Sequence, residues 1–203
     1  MMATAFPTYN RFVERYTTTP NDLPWDDPLP PPEVIDLVPQ VNPGRALDLG
    51  CGYGRTARYL AQHDWKVDAV DFVGAAVEGG RRLARQNKLS HAINFHQASV
   101  TNLNFLRSGR YDLAVDIGCM HSFDSEKLIQ YRDEVARLLR PAGSYLLYAH
   151  FLTEIEGRQH GIAQAQLEDL FADQFHLLCA EYGETVMEDR PIIKSAWYWY
   201  QRL

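Results

Sequence analysis

"ALDLGCGYGRTARYLAQ", residues 46–62, sets a glycine at every second position between an apolar run and a stretch of helical pattern. A strand, a tight turn and a helix follow from it: β-favouring residues lead in, Gly50, Gly52 and Gly54 supply backbone freedom, and residues 55–62 repeat apolar side chains at helical spacing. A turn at a helix start presents backbone amides and a positive dipole end, which suits an anion such as pyrophosphate. The dinucleotide fingerprint GxGxxG fits poorly, however, because Arg55 stands at its third glycine position. The chain offers DxGxGxG instead, with Asp48 two residues before Gly50. A carboxylate at that point repels phosphate and accepts charge-assisted hydrogen bonds from an ammonium group, so the expected ligand carries a cation.

Outward from the turn, short strand patterns alternate with helical ones. "RALDLG" (45–50), "KVDAVD" (66–71), "INFHQAS" (93–99), "YDLAVDIG" (111–118) and "SYLLYAHF" (144–151) read as strands. Helices are expected over "EVIDLVPQV" (33–41), "RTARYLAQHD" (55–64), "GAAVEGGRRLARQNK" (74–88) and "SEKLIQYRDEVARLLR" (125–140), the last ended by Pro141 and Gly143. This alternation predicts βαβ units and a mainly parallel sheet, which binds ligands beyond the carboxyl ends of its strands. The tail adds an acidic-faced helix (165–175), a strand over "HLLCAEYGE" (176–184) and an aromatic strand, "SAWYWYQRL" (195–203), compatible with an antiparallel hairpin. Trp197, Tyr198, Trp199 and Tyr200 are expected to form the two faces of that strand.

A second acid, Asp71, ends "KVDAVD" 21 residues after Gly50, where a carboxylate accepts hydrogen bonds from ribose hydroxyls. An adenosine that bears an amino acid and no phosphate is S-adenosylmethionine. With "ALDLGCGYG", "AVDFV", "YDLAVDIGCMHSF" and "LLRPAGSYLL" in that order, residues 41–203 resemble a class I S-adenosylmethionine-dependent methyltransferase. The resemblance implies an α/β, Rossmann-like, seven-stranded mixed sheet of order 3-2-1-4-5-7-6, last strand antiparallel, with helices on both faces. It implies one domain over 1–203, with 1–40 as a lid segment on the cofactor-binding core. The cofactor-binding positions it implies are Asp48, Gly50, Cys51, Gly52, Gly54, Asp71, Phe72, Ser99, Val100, Asp116, Ile117 and Trp25. Many members carry an Asp for the adenine amino group where this chain has Ser99, so adenine recognition is expected to lean on the Val100 amide. Phe72, and less so Leu103, would pack on the adenine face.

Methyl transfer from a sulfonium is an in-line displacement, for which the protein supplies mainly placement. A base is needed only for an acceptor that arrives protonated, and His121, on the loop after the fourth strand, is the candidate. "PNDLPWDDPLPPPE" (20–33) holds six prolines, and fixed φ without an amide donor makes it run extended over a surface. It resembles, over a short stretch, the entry segment of thiopurine and tellurite-resistance methyltransferases, which implies a lid with Trp25, Tyr9, Phe12 and Tyr16. His150 and Arg158, in "HFLTEIEGRQHGIAQ" (150–164), stand on a loop expected to cover the substrate. The rival functions are an O- or N-methyltransferase of a metabolite or protein residue with His121 as base, a noncatalytic binder of the same cofactor, and a nicotinamide oxidoreductase.

The bulk properties agree with a small-molecule partner. A net charge of −6 argues against nucleic acid or an anionic membrane surface as partner. Cys51, Cys119 and Cys179 form neither a disulfide framework nor a zinc pattern and suggest a reducing, cytoplasmic setting. The seven histidines are scattered, so no metal site is expected, and no stretch has the roughly 20 apolar residues of a membrane helix. A monomer or homodimer is expected.

Overall fold

The computed structural model describes residues 7–18, 23, 27–155, 158–186 and 191–203. In chain order they form α1 (Pro7–Thr18), α2 (Pro32–Leu37), β1 (Arg45–Leu49), α3 (Arg55–Gln62), β2 (Lys66–Asp71), α4 (Gly74–Gln86), β3 (Ile93–Gln97) and β4 (Tyr111–Ile117). Then follow α5 (Ser125–Leu138), β5 (Leu139–His150), β6 (Thr153–Ile155), β7 (Arg158–His160), α6 (Gln164–Phe171), β8 (Phe175–Thr185) and β9 (Ile193–Arg202). Seven strands make one sheet of order β3-β2-β1-β4-β5-β9-β8, in which β9 pairs antiparallel with both β5 and β8. This is the expected sheet, with a two-stranded hairpin, β6–β7, inserted before its last two strands. No helix among the described residues is long and apolar enough to cross a membrane.

Alternation along each strand sends side chains to two helical layers. Leu47, Ala114, Tyr145, Leu147, Tyr198 and Tyr200 pack under α5 and α6 against Tyr131, Val135, Leu167 and Phe171. Ala46, Val67, Ala69, Val115, Leu146 and Trp197 pack on the opposite face against Ala57 and Leu60 of α3 and Val77 and Ala84 of α4. The aromatic tail strand thus serves both layers, with its tyrosines on one face and its tryptophans on the other.

Two segments differ from the sequence expectation. Helix α5 stops at Leu138, but "RPAG" lies inside β5. The register with β4 jumps from Tyr111–Leu139 to Leu113–Ser144, so residues 140–143 bulge out of the ladder and Pro141 costs no hydrogen bond there. Ala142 takes the left-handed φ of +60° that this bulge demands. The stretch 150–164, expected to be a loop, carries the β6–β7 hairpin.

Asp68, read in the sequence only as a strand residue, joins four neighbouring parallel strands toward their amino ends. Its carboxylate accepts from Arg45 on β1 (2.9 Å), Asn94 (3.2 Å) and His96 (2.8 Å) on β3, and Tyr111 on β4 (2.9 Å). Burial opposes its charge, yet the bonds from His96, Tyr111 and Asn94 outweigh burial and hold its pKa below the ordinary carboxylate value. Stability from a depressed acid is present above its unfolded pKa and is lost as pH falls through the folded one. Asp68→Ala is therefore expected to cost about 1–3 kcal/mol in urea denaturation at pH 7, chiefly by leaving the buried Tyr111 hydroxyl without its acceptor. The difference from wild type should shrink as the pH is lowered below about 4.

Candidate functional site

The turn after β1 is built from three left-handed glycines, Gly50, Gly52 and Gly54, with φ of +71°, +55° and +74°. The bare backbone is required by the protein itself as well as by conformation. A Cβ on Gly50 would lie 2.6 Å from the Cys119 Cβ, and one on Gly52 would lie 2.6 Å from the Tyr16 hydroxyl. The amides of the turn are also engaged internally. Gly50 and Cys51 donate to the Val70 carbonyl, Gly54 to that of Cys51, and Gly52 to Asp71. Those four amides are therefore not free for a pyrophosphate.

Three strand ends bring acids to this turn. Asp48, on β1, is buried and accepts from the Ala57 amide in the first turn of α3 at 2.9 Å, which caps that helix from a distance. Burial pushes its pKa up to about 7, against the pull of the Ala57 amide and the Arg55 charge. A buried carboxylate with one hydrogen-bond donor among the described residues keeps acceptor capacity of the kind an ammonium could use. Asp71, at the end of β2, takes the Gly52 amide at 2.9 Å and the Val73 amide at 2.8 Å. Burial raises its pKa, and those amides restrain the rise. Each oxygen keeps a lone pair, so Asp71 fits ribose hydroxyls as well as fixing the turn.

Asp116, at the end of β4, has another setting. Its carboxylate accepts from the Cys119 amide (2.7 Å), the Met120 amide (3.2 Å) and the Tyr131 hydroxyl (2.7 Å), and Tyr131 is bonded in turn to Tyr145 (2.9 Å). Burial raises it to about 7, with the Tyr131, Cys119 and Met120 bonds opposing. Its side chain is fully buried under α5 and pins the loop 118–121. Sequence reasoning found Asp116 but missed this tyrosine chain, whose members look like ordinary core aromatics. Ile117 is half-buried beside Cys51 on the α3–α4 face.

The rim carries the remaining positions. Helix α1 packs on the turn: Tyr16 is buried with its ring 5.0 Å from that of Tyr53, and Phe12 meets Phe72 edge-on at 5.9 Å. Leu23 joins the same cluster. Ser99 is exposed and bonded to Thr101 (2.8 Å), while the Val100 side chain is buried. Leu103 is fully buried in the α5 layer, with its amide on Glu134, so it is a core residue rather than a face for adenine. Trp25 and Gly157 lie outside the described residues, as do the side chains of Tyr9 and Arg158.

His121 and His150 meet at the carboxyl ends of β4 and β5 with rings stacked 4.5 Å apart and 18° from parallel. The His150 backbone N–H donates to His121 Nδ1 at 3.2 Å. That bond holds the ring's lone pair on Nδ1 and its hydrogen on Nε2, the reverse of what a base acting through Nε2 requires. Burial, with His150 and His160 nearby, pushes the His121 pKa down to about 3. Burial lowers His150 too. Here the geometry departs from the expected general base. Cys51 and Cys119 flank Gly50, and burial pushes both thiols well above their ordinary range. Among the described residues no group of three or more His, Cys, Asp or Glu is placed to hold a metal ion.

Comparison with known proteins meets this geometry. Residues 46–143 match a methyltransferase domain. An uncharacterized methyltransferase of Schizosaccharomyces pombe is 30% identical over 103 residues, 51% of this chain and 69% of that protein. The 2-heptyl-1-hydroxyquinolin-4(1H)-one methyltransferase of Mycobacteroides abscessus is 27% identical over 152 residues, 72% of this chain and 66% of that one. In fold, the chain matches the Burkholderia thailandensis 1,6-didemethyltoxoflavin-N1-methyltransferase with bound S-adenosylhomocysteine at a TM-score of 0.76, 21% identity, 96% of this chain and 87% of that one. The corresponding figures for TehB from Haemophilus influenzae are 0.74, 16%, 94% and 67%. The protein belongs to the class I S-adenosylmethionine-dependent methyltransferases, and S-adenosylmethionine is its cofactor.

A ligand ammonium paired with Asp48 would give binding a pH dependence. Burial pushes the free carboxyl up to about 7, whereas such a partner requires it ionised. Affinity for S-adenosylmethionine should then be level above about pH 7 and fall by about tenfold per unit below it, with proton release on binding. Calorimetry at pH 6 in buffers of different ionisation enthalpy measures that release. Asp48→Asn should bind more weakly and show no such slope.

Proposed function

We propose that the protein transfers a methyl group from S-adenosylmethionine to a small, flat, oxygen- or nitrogen-bearing acceptor enclosed beneath α1. The observation that carries this is the seating of Tyr16 over Gly52, which sets a helix of the chain's own across the cofactor turn. A site roofed in this way suits a small acceptor, and excluding water favours a displacement in which charge is neutralised. Asp48 would hold the cofactor's ammonium and Asp71 its ribose, with Phe72 beside the adenine. S-Adenosylmethionine, when bound, supplies an electrophilic methyl carbon on a sulfonium. The chain's own part is orientation: the Asp116-pinned loop 118–121 and the stacked His121–His150 pair, at the carboxyl ends of β4 and β5, would face the acceptor. The M. abscessus relative, whose name gives a hydroxyquinolone as substrate, supports a heteroaromatic acceptor.

The test is calorimetric titration with S-adenosylmethionine and S-adenosylhomocysteine, followed by assay of methyl transfer to a panel of hydroxylated quinolones, phenols, thiols and heteroaromatic amines. Binding weakened at least tenfold in Asp71→Ala, with turnover of a flat hydroxyl or ring-nitrogen acceptor, is expected. Binding without transfer to any acceptor would favour a noncatalytic role.

A further inference from the structure

His121 was expected to remove a proton, and its surroundings give it the opposite chemistry. Its Nδ1 accepts from the backbone N–H of His150, an element of β5 that cannot turn away. Protonating the ring would set one N–H against another, and the Nδ1–H tautomer meets the same clash. The titratable groups acting on it are His150, stacked on its face, and His160 on β7. Neither is an acid that would stabilise an imidazolium. Nε2, the ring's other nitrogen, has no hydrogen-bond partner among the described residues, and the side chain is half-buried. The contact of Cys119 with Gly50 brings this loop onto the cofactor turn, two residues before His121. An N–H donor with no partner among the described residues thus stands on the loop that reaches the cofactor turn.

We infer that His121 acts in methyl transfer as a neutral hydrogen-bond donor through Nε2–H, and that the acceptors are hydroxyl compounds acidic enough to arrive as oxyanions. The inference rests on the small-acceptor function proposed above and narrows its substrate class. A neutral hydroxyl would bring a proton for which His121 has no free lone pair. An oxyanion brings none, and is held by the Nε2–H. Its lone pair forms the oxygen–carbon bond as the carbon–sulfur pair returns to sulfur; the negative and positive charges cancel and no proton moves.

Two measurements test this. In the protein labelled with 15N-histidine, with His121→Gln to assign the signals, His121 should show a bare Nδ1 and a protonated Nε2 throughout about pH 5 to 8. A His121 that titrates near neutrality, or carries its hydrogen on Nδ1, overturns the inference. This reading needs no acceptor, so it separates failure of the donor assignment from failure of the proposed function. In the second, kcat/KM for phenols of graded acidity, in wild type and variants, should rise with pH through each phenol's own pKa. His121→Gln, which keeps an N–H donor, should stay within about tenfold of wild type, and His121→Phe should lose on the order of 10²-fold. A limb set by one enzyme group near neutrality for every phenol, and absent in His121→Gln or His150→Gln, overturns it. Absence of any phenol turnover overturns the oxyanion substrate class while the NMR result stands by itself.

Discussion

Two buried carboxylates on backbone amides hold this site together. Asp48 takes the Ala57 amide and Asp71 those of Gly52 and Val73. The glycine turn is thereby tied to both helices that leave the neighbouring strands, and its form is fixed by the protein before any ligand is present. Burying a carboxylate is unfavourable unless it is paired, and one amide does not complete the pairing of Asp48. On the proposed function, a ligand ammonium would relieve the residual cost at this one point.

The same turn shows why glycine is needed on every second residue. Left-handed backbone at all three positions is part of the reason. Close approach of the chain to itself is the other: the loop after β4 comes onto Gly50 through Cys119, and α1 onto Gly52 through Tyr16. Cofactor turn, acceptor loop and N-terminal helix therefore form one packed unit. A substitution at Gly50 or Gly52 would displace the loop or the roof as well as the turn.

In the loop after β4, polarity is organised by hydrogen bonds directed into the core. Tyr145, Tyr131 and Asp116 form a buried chain under α5 that ends on the amides of residues 119 and 120. The amides of Cys119 and Met120 are bonded into the core, and His121 follows from there to meet the amide of His150. On the inference drawn above, placement and hydrogen-bond donation are the chemistry available there. That is adequate for a methyl group already activated by a sulfonium charge.

The sequence by itself determined the strand–turn–helix at residues 46–62, the alternation into a mainly parallel sheet, the antiparallel return of "SAWYWYQRL", and the two acids, Asp48 and Asp71, that gather at the glycine turn. Those features are local or periodic: glycine spacing, period-2 and period-3.6 patterns, and an acid in an apolar strand are visible residue by residue. Tertiary structure decided what each polar group is bonded to. Whether His121 is a base or a donor depends on an amide 29 residues away, and Asp68 becomes a four-partner hub only once β1, β3 and β4 align beside it. The bulge at residues 140–143 likewise needs β4 as its partner before Pro141 reads as part of a strand. Hydrogen-bond direction is set by partners far apart in the chain and close in space, and no pattern in one segment encodes it.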